Sequence, residues 1–162
     1  MKKTQIVSTA LLGIVTAATF TFAGPLTQMF QSQPTEQKFH WRTDLNSAHE
    51  EAVIKNRPML IVIDADWCAY CEKMENSTLS DATVVQHVNE SFIPVRLSLD
   101  ENQRIVEILD VDRIPCTIVL SPRADLLGRI VGFVNTEQYD NSLTQIRALQ
   151  ARVERKLATQ TH

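Results

Sequence analysis

Two cysteines three residues apart, Cys68 and Cys71, are the side chains best suited to covalent chemistry. The apolar run Met59-Leu60-Ile61-Val62-Ile63 ends at Asp64, a short acidic loop follows, and then comes the pair. From Cys68 onward, Glu72, Lys73, Met74 and Glu75 are good helix formers. This pattern predicts that the pair sits where a strand hands over to the first turn of a helix. Unpaired N–H groups and the positive end of the helix dipole at such a place stabilise a thiolate. Cys68, at the helix mouth, is expected to be the more acidic and more exposed thiol. Cys71 lies one turn further in on the same side, within reach of Cys68 for a disulfide.

Three chemistries are open to such a pair: thiol–disulfide exchange, a static structural bridge, or half of a metal site. For a metal, Cys116 could supply a third ligand and His40, His49 or His87 the fourth. None of these histidines has ligand spacing to a cysteine, so no metal site is assigned. Redox chemistry is favoured because a structural bridge rarely sits at a helix mouth behind a tryptophan. Cys116 has two readings: a buried, inert side chain, or a third redox thiol near the pair.

The chain opens Met1-Lys2-Lys3, then stays mostly apolar from Ile6 to Phe22, with Thr21-Phe22-Ala23 ahead of Gly24-Pro25. Residues 1–23 have the form of a secretory signal peptide, the alternative being an uncleaved membrane anchor. Either reading places the remainder outside the cytoplasm. Losing Lys2 and Lys3 takes the net charge from −3 to −5. A mildly acidic chain without a basic run argues against nucleic acid as a partner. Residues 24–38 read as a polar tether, with Gln28, Gln31, Gln33 and Gln37 around Pro34. The rest, 39–162, is large enough for one domain with its own core.

The elements that must hold the pair follow in order. Phe39-His40-Trp41 is read as a short edge strand, and Asp44 or Ser47 as the cap of a helix to about Lys55. The near-continuous apolar run from Met59 predicts a strand buried on both faces. Ser80-Asp81 starts a helix with Val84, Val85 and Val88 as its inner stripe. A strand over 92–99, a helix over 102–109, and strands over 116–120 and 126–131 joined as a hairpin follow. Asn135 with Gln138 caps a last helix, whose stripe Tyr139, Leu143, Ile146, Leu149, Val153 and Leu157 is expected to pack on the sheet with its distal turns overhanging. A monomer is expected, since that stripe spans under three heptads. The alternation defines an α/β domain, a mixed central sheet with helices on both faces.

At this point the residues resemble the thioredoxin family. Trp67-Cys68-Ala69-Tyr70-Cys71 is similar to its Trp-Cys-x-x-Cys motif, Ile114-Pro115 to its cis-proline step, and Gly132 to the glycine after its last strand. The resemblance covers about Ala48 to Leu157, and is greatest to exported members of the family. It implies the thioredoxin fold and an extracytoplasmic thiol–disulfide oxidoreductase, with the reductase direction favoured. The working group would be the Cys68–Cys71 disulfide itself, with no further cofactor. Trp67, Tyr70, Ile114 and Pro115 would line the substrate groove, the Ile114 backbone pairing with the substrate chain. Partners would be cysteine-containing proteins of the periplasm and a membrane protein donating electrons. The family's buried aspartate position is Val62 here. Asp64, two residues on and on the same strand face, is the candidate for proton transfer, and Arg96 stands where the family has a lysine. Outside enzymology, a metallochaperone module using Cys68, Cys71 and Cys116, or a non-catalytic interaction module, would fit the same motif.

Overall fold

The computed structural model describes residues 38–160, so the expected signal segment, and all but the last residue of the expected tether, lie outside the described residues. Helix α1 (Leu45–Lys55) is followed by strand β1 (Met59–Asp64), helices α2 (Ala69–Ser77) and α3 (Ala82–Ser91), and strand β2 (Ile93–Ser98). Helix α4 (Gln103–Ile108), the strands β3 (Cys116–Leu120) and β4 (Leu126–Val131), and the long helix α5 (Thr136–Gln160) complete the order.

Caps chosen by short polar side chains set the helix starts. Asp44, not Ser47, caps α1, its carboxylate accepting the Ser47 N–H at 2.8 Å. Asp81 accepts from the N–H groups of Thr83 and Val84 at the start of α3. Asn135 and Gln138 cap α5 reciprocally: Asn135 Oδ1 accepts the Gln138 N–H at 2.9 Å, and Gln138 Oε1 accepts the Asn135 N–H at 3.4 Å. This is the capping-box arrangement, which satisfies donors the first helical turn cannot.

The four strands order as β2-β1-β3-β4, β1 running parallel to β2 and antiparallel to β3, with β3 and β4 a hairpin. Alternate residues of β1 serve two cores. Met59, Ile61 and Ile63 face one that includes Ala48 and Ala52 of α1 and Val106 of α4. Leu60 and Val62 face the other, filled by Met74, Val84, Val88, Phe92, Tyr139 and Leu143. Every residue of β1 except Asp64 is buried, as a central strand covered on both faces requires. On α5, Tyr139 and Leu143 are fully buried while Leu149 and Val153 are exposed, so the expected overhang of the distal turns is present.

The expected edge strand at Phe39–Trp41 is absent. Only Arg42 bridges to β2, donating to Pro94 O and accepting from Arg96 N. A parallel ladder continued toward His40 would need the N–H of Pro94, which proline lacks. The His40 N–H donates to Asn89 Oδ1 instead, and Phe39 stacks on Trp41 with ring centroids 4.4 Å apart.

Candidate active site

Strand β1 ends at Asp64, and the loop Ala65–Trp67 delivers Cys68 to the N-cap of α2. Cys68 is bonded to Cys71 in a disulfide, with Cα atoms 5.2 Å apart. Its Sγ also accepts the Cys71 N–H at 3.2 Å, and its carbonyl accepts from the N–H of Cys71 and Glu72. The sulfur therefore occupies the position that an Asp or Ser oxygen takes at an ordinary helix start. On reduction, a Cys68 thiolate would keep that N–H and the positive end of the helix dipole. The expected difference in exposure is small, Cys68 and Cys71 being 8% and 6% exposed, because the bridge draws both under Ala65, Leu99 and Ile114.

The groove residues divide. Ile114–Pro115 is a cis peptide just ahead of β3, and Ile114 packs against the disulfide cluster. Pro115 is buried, and its carbonyl accepts the N–H of Gly132 at 2.8 Å. Gly132, just past β4, has φ of +79°, a conformation that favours glycine. Trp67 and Tyr70 flank the pair and stand in solvent, 67% and 65% exposed. The Trp67 indole N–H donates to Asp100 at 2.9 Å, which fixes the ring at the rim.

A crevice of about 190 Å³ runs beside the disulfide, lined by Ala65, Asp66, Cys68, Cys71, Glu72, Glu75 and Arg96. Arg96 Nε donates to Asp64 at 2.7 Å, while its two terminal nitrogens fork onto both oxygens of Glu75 at 2.8 and 2.6 Å. The guanidinium thus ties the end of β1 to α2 and lines the crevice with Cys71. The two carboxylates respond in opposite directions. Burial outweighs the Arg96 contact and pushes Asp64 above the ordinary carboxylate range. Glu75 is more exposed, and its hydrogen bonds from Arg96 hold it below that range. Arg96 is itself pushed up, chiefly by Glu75.

Cys116 is not part of this cluster. It is buried and free, with its side chain in the α1/α4 core opposite Ile63. Burial pushes its thiol pKa up, with Arg129 a smaller opposing influence, which disfavours the nucleophilic thiolate. Among the described residues, no three His, Cys, Asp or Glu side chains gather as a metal site. His49 contacts Pro122 O and His87 contacts Asp140, both on other elements.

Sequence reasoning missed Glu75, Leu99 and Asp100 as site residues. Glu75 carried a signal, since four residues after Cys71 it shares that helix face. Leu99 and Asp100 follow β2 and reach the site only through the register Asp64 to Ser98.

A mixed sheet with a helix-capping Cys-x-x-Cys disulfide beside a cis-proline loop defines the thioredoxin fold. The thioredoxin-like family model matches residues 40–122, and the chain belongs to that family. It is 28% identical over 105 residues to the thiol:disulfide interchange protein DsbD of Pectobacterium atrosepticum, a match covering 62% of this chain and 18% of that protein. It is 31% identical over 86 residues to the thiol:disulfide interchange protein TxlA of Synechococcus elongatus, covering 52% of this chain and 44% of the other. The chain thus spans less than half the length of either relative. A thioredoxin from Thermus thermophilus superposes with a TM-score of 0.60 at 23% identity, covering 69% of this chain and 87% of that one.

Proposed function

We propose that the chain is an extracytoplasmic thiol–disulfide oxidoreductase that reduces disulfides in other proteins through Cys68 and Cys71. The observation that carries this reading is the Cys68 sulfur at the N-cap of α2, accepting the Cys71 N–H. In the reduced protein the Cys68 thiolate attacks one sulfur of a substrate disulfide. A mixed disulfide forms and the other substrate sulfur leaves as thiolate. Cys71 loses its proton and attacks Cys68 Sγ. The second substrate sulfur leaves, the Cys68–Cys71 bridge closes, and two electrons have passed to the substrate. Asp64 is the proton acceptor in this scheme, bonded to Arg96, which lines the crevice together with both cysteines. The exposed faces of Trp67 and Tyr70 and the Ile114–Pro115 step receive the substrate chain.

The reductase direction rests on resemblance to exported reductants, and the extracytoplasmic location on the signal-like segment 1–23. DsbD and TxlA are named as thiol:disulfide interchange proteins, which supports exchange with cysteine-containing proteins. A reductant in an oxidising compartment needs a donor, and a membrane protein passing electrons outward supplies one. No cofactor beyond the disulfide is required.

A Cys71→Ser variant incubated with a disulfide-bonded protein such as insulin should accumulate a mixed disulfide at Cys68, visible by non-reducing electrophoresis and mass spectrometry. Cys68→Ser should abolish reduction. Full activity of Cys68→Ser would overturn the assignment. The reduction potential then decides direction: a value near about −270 mV supports a reductant, one near about −120 mV an oxidant.

A further inference from the structure

The pole of the domain furthest from the disulfide carries an apolar strip bordered by exposed cations. The sheet register fixes the two poles, since Ile63 pairs with Cys116 at the disulfide end and Met59 with Leu120 at the other. Strand β4 runs back to the disulfide end and α5 returns, so the last turns of α5 reach the far end. There Leu126, Leu149 and Val153 are exposed and line, with Pro122 and Leu127, a groove of about 550 Å³. With 3.6 residues per turn, Leu149, Val153 and Lys156 fall within an arc of about 60°, and Arg152 about 40° further round. Arg152 and Lys156 are exposed, and no hydrogen bond or ion pair engages either among the described residues. Arg155 beside them donates to Ala151 O of its own helix; of the two carboxylates lining the groove, Glu154 accepts from Gln150 and Asp125 is paired with Arg123. This stretch is cationic on a chain whose net charge is −3.

Charge and shape select the occupant. A second copy laid across the same strip about a two-fold axis would set Arg152 and Lys156 against their own kind, which repels. An anionic lipid surface suits the arrangement. The long stems of Arg152, Arg155 and Lys156 carry their charges outward to headgroups while Leu126, Leu149 and Val153 enter the interface. We propose that this pole docks on an anionic lipid surface, leaving Cys68 and Cys71 facing away from the bilayer toward protein partners. The docking is independent of the redox assignment, because the strip and the disulfide lie at opposite ends of β3.

Vesicle co-sedimentation of the full chain tests it. Wild type and Arg152→Gln/Lys156→Gln are compared on phosphatidylcholine vesicles and on vesicles that also contain phosphatidylglycerol, at low and high salt. Whatever residues 1–37 contribute is common to both proteins. Wild type should bind the anionic vesicles more tightly, and the double variant should lose about thirtyfold, at about one decade and a half for two cations. Salt should erase most of that difference. Leu149→Ser/Val153→Ser should weaken anionic-vesicle binding at both salt levels. Disulfide reduction in solution and the thermal midpoint should be unchanged in both variants, which separates lost docking from lost folding. Equal binding of wild type and the charge variant to anionic vesicles would overturn the proposal. So would charge-dependent binding to polyglutamate that anionic vesicles fail to displace, which would assign the strip to an acidic polypeptide.

Discussion

Asp64 and Glu75 accept hydrogen bonds from one guanidinium, yet their proton affinities move apart, and the reason is depth. Burial raises Asp64 above its ordinary value of 3.8, whereas Arg96 lowers Glu75 below its ordinary 4.5. The folded protein therefore holds the Asp64 proton more tightly than the unfolded chain does. Ionising Asp64 costs stability as pH rises from 3.8 through its higher folded pKa. Glu75 has the opposite sign: its contribution is present above 4.5 and is lost as pH falls through its lower folded pKa. Urea denaturation at a series of pH values should show Asp64→Asn gaining on wild type as pH rises past 3.8. Glu75→Gln should lose ground over the rise to 4.5, by less than about 1 kcal/mol because the pair is partly exposed. An Asp64→Asn profile parallel to wild type would show that burial does not govern this carboxylate. Cys116 gives a second test at this scale. In the folded, oxidised protein it should resist maleimide, while Cys68 and Cys71 label only after reduction. Mass spectrometry of the labelled peptides distinguishes them, and rapid Cys116 labelling would revive it as a third redox thiol.

Between elements, α5 approaches β4 closely at Gly128. A Cβ added to Gly128 would lie 2.6 Å from Cδ1 and Cγ1 of Ile146. Ile146 is flexible but packs against the α3/α5 core, so it can yield only by disturbing its neighbours. Gly128→Ala should cost about 1–3 kcal/mol in thermal denaturation. Adding Ile146→Val should recover part of that cost, a non-additivity expected only if the two positions touch. Most elements were legible in the sequence because their signals are local. Asp81, the pair Asn135 and Gln138, and the run from Met59 each state a start or a burial pattern within a few residues. The Cys68–Cys71 spacing likewise announced the core of the site. Legibility failed where the deciding contact is distant. The strand expected at Phe39–Trp41 fails because Pro94 lies opposite it, and nothing near Phe39 says so. Asp100 reaches Trp67 across 33 positions of sequence, through the β1–β2 register. Arg96 was legible as the residue standing where the family has a lysine, but its bond to Asp64 and its fork onto Glu75 needed the helix and the strand placed together.

For the whole molecule, the question is whether the disulfide holds the fold or only works on its surface. The two cores on either side of the sheet include neither Cys68 nor Cys71, and the pair forms its own small cluster with Ala65. The bridge spans a sequence separation of only 3, so the loop it closes restricts the unfolded chain little. Loop-closure entropy for so short a loop is about 2 kcal/mol. Reduction also returns something, because a free Cys68 thiolate keeps the Cys71 N–H at the N-cap of α2, a stronger acceptor than a bridged sulfur. The reduced protein should therefore stay folded and cooperative. Scanning calorimetry with and without dithiothreitol should show a midpoint lower by less than about 10 °C. Unfolding on reduction would instead make the bridge a structural staple, and the same domain would then be an interaction module rather than an exchanger of disulfides.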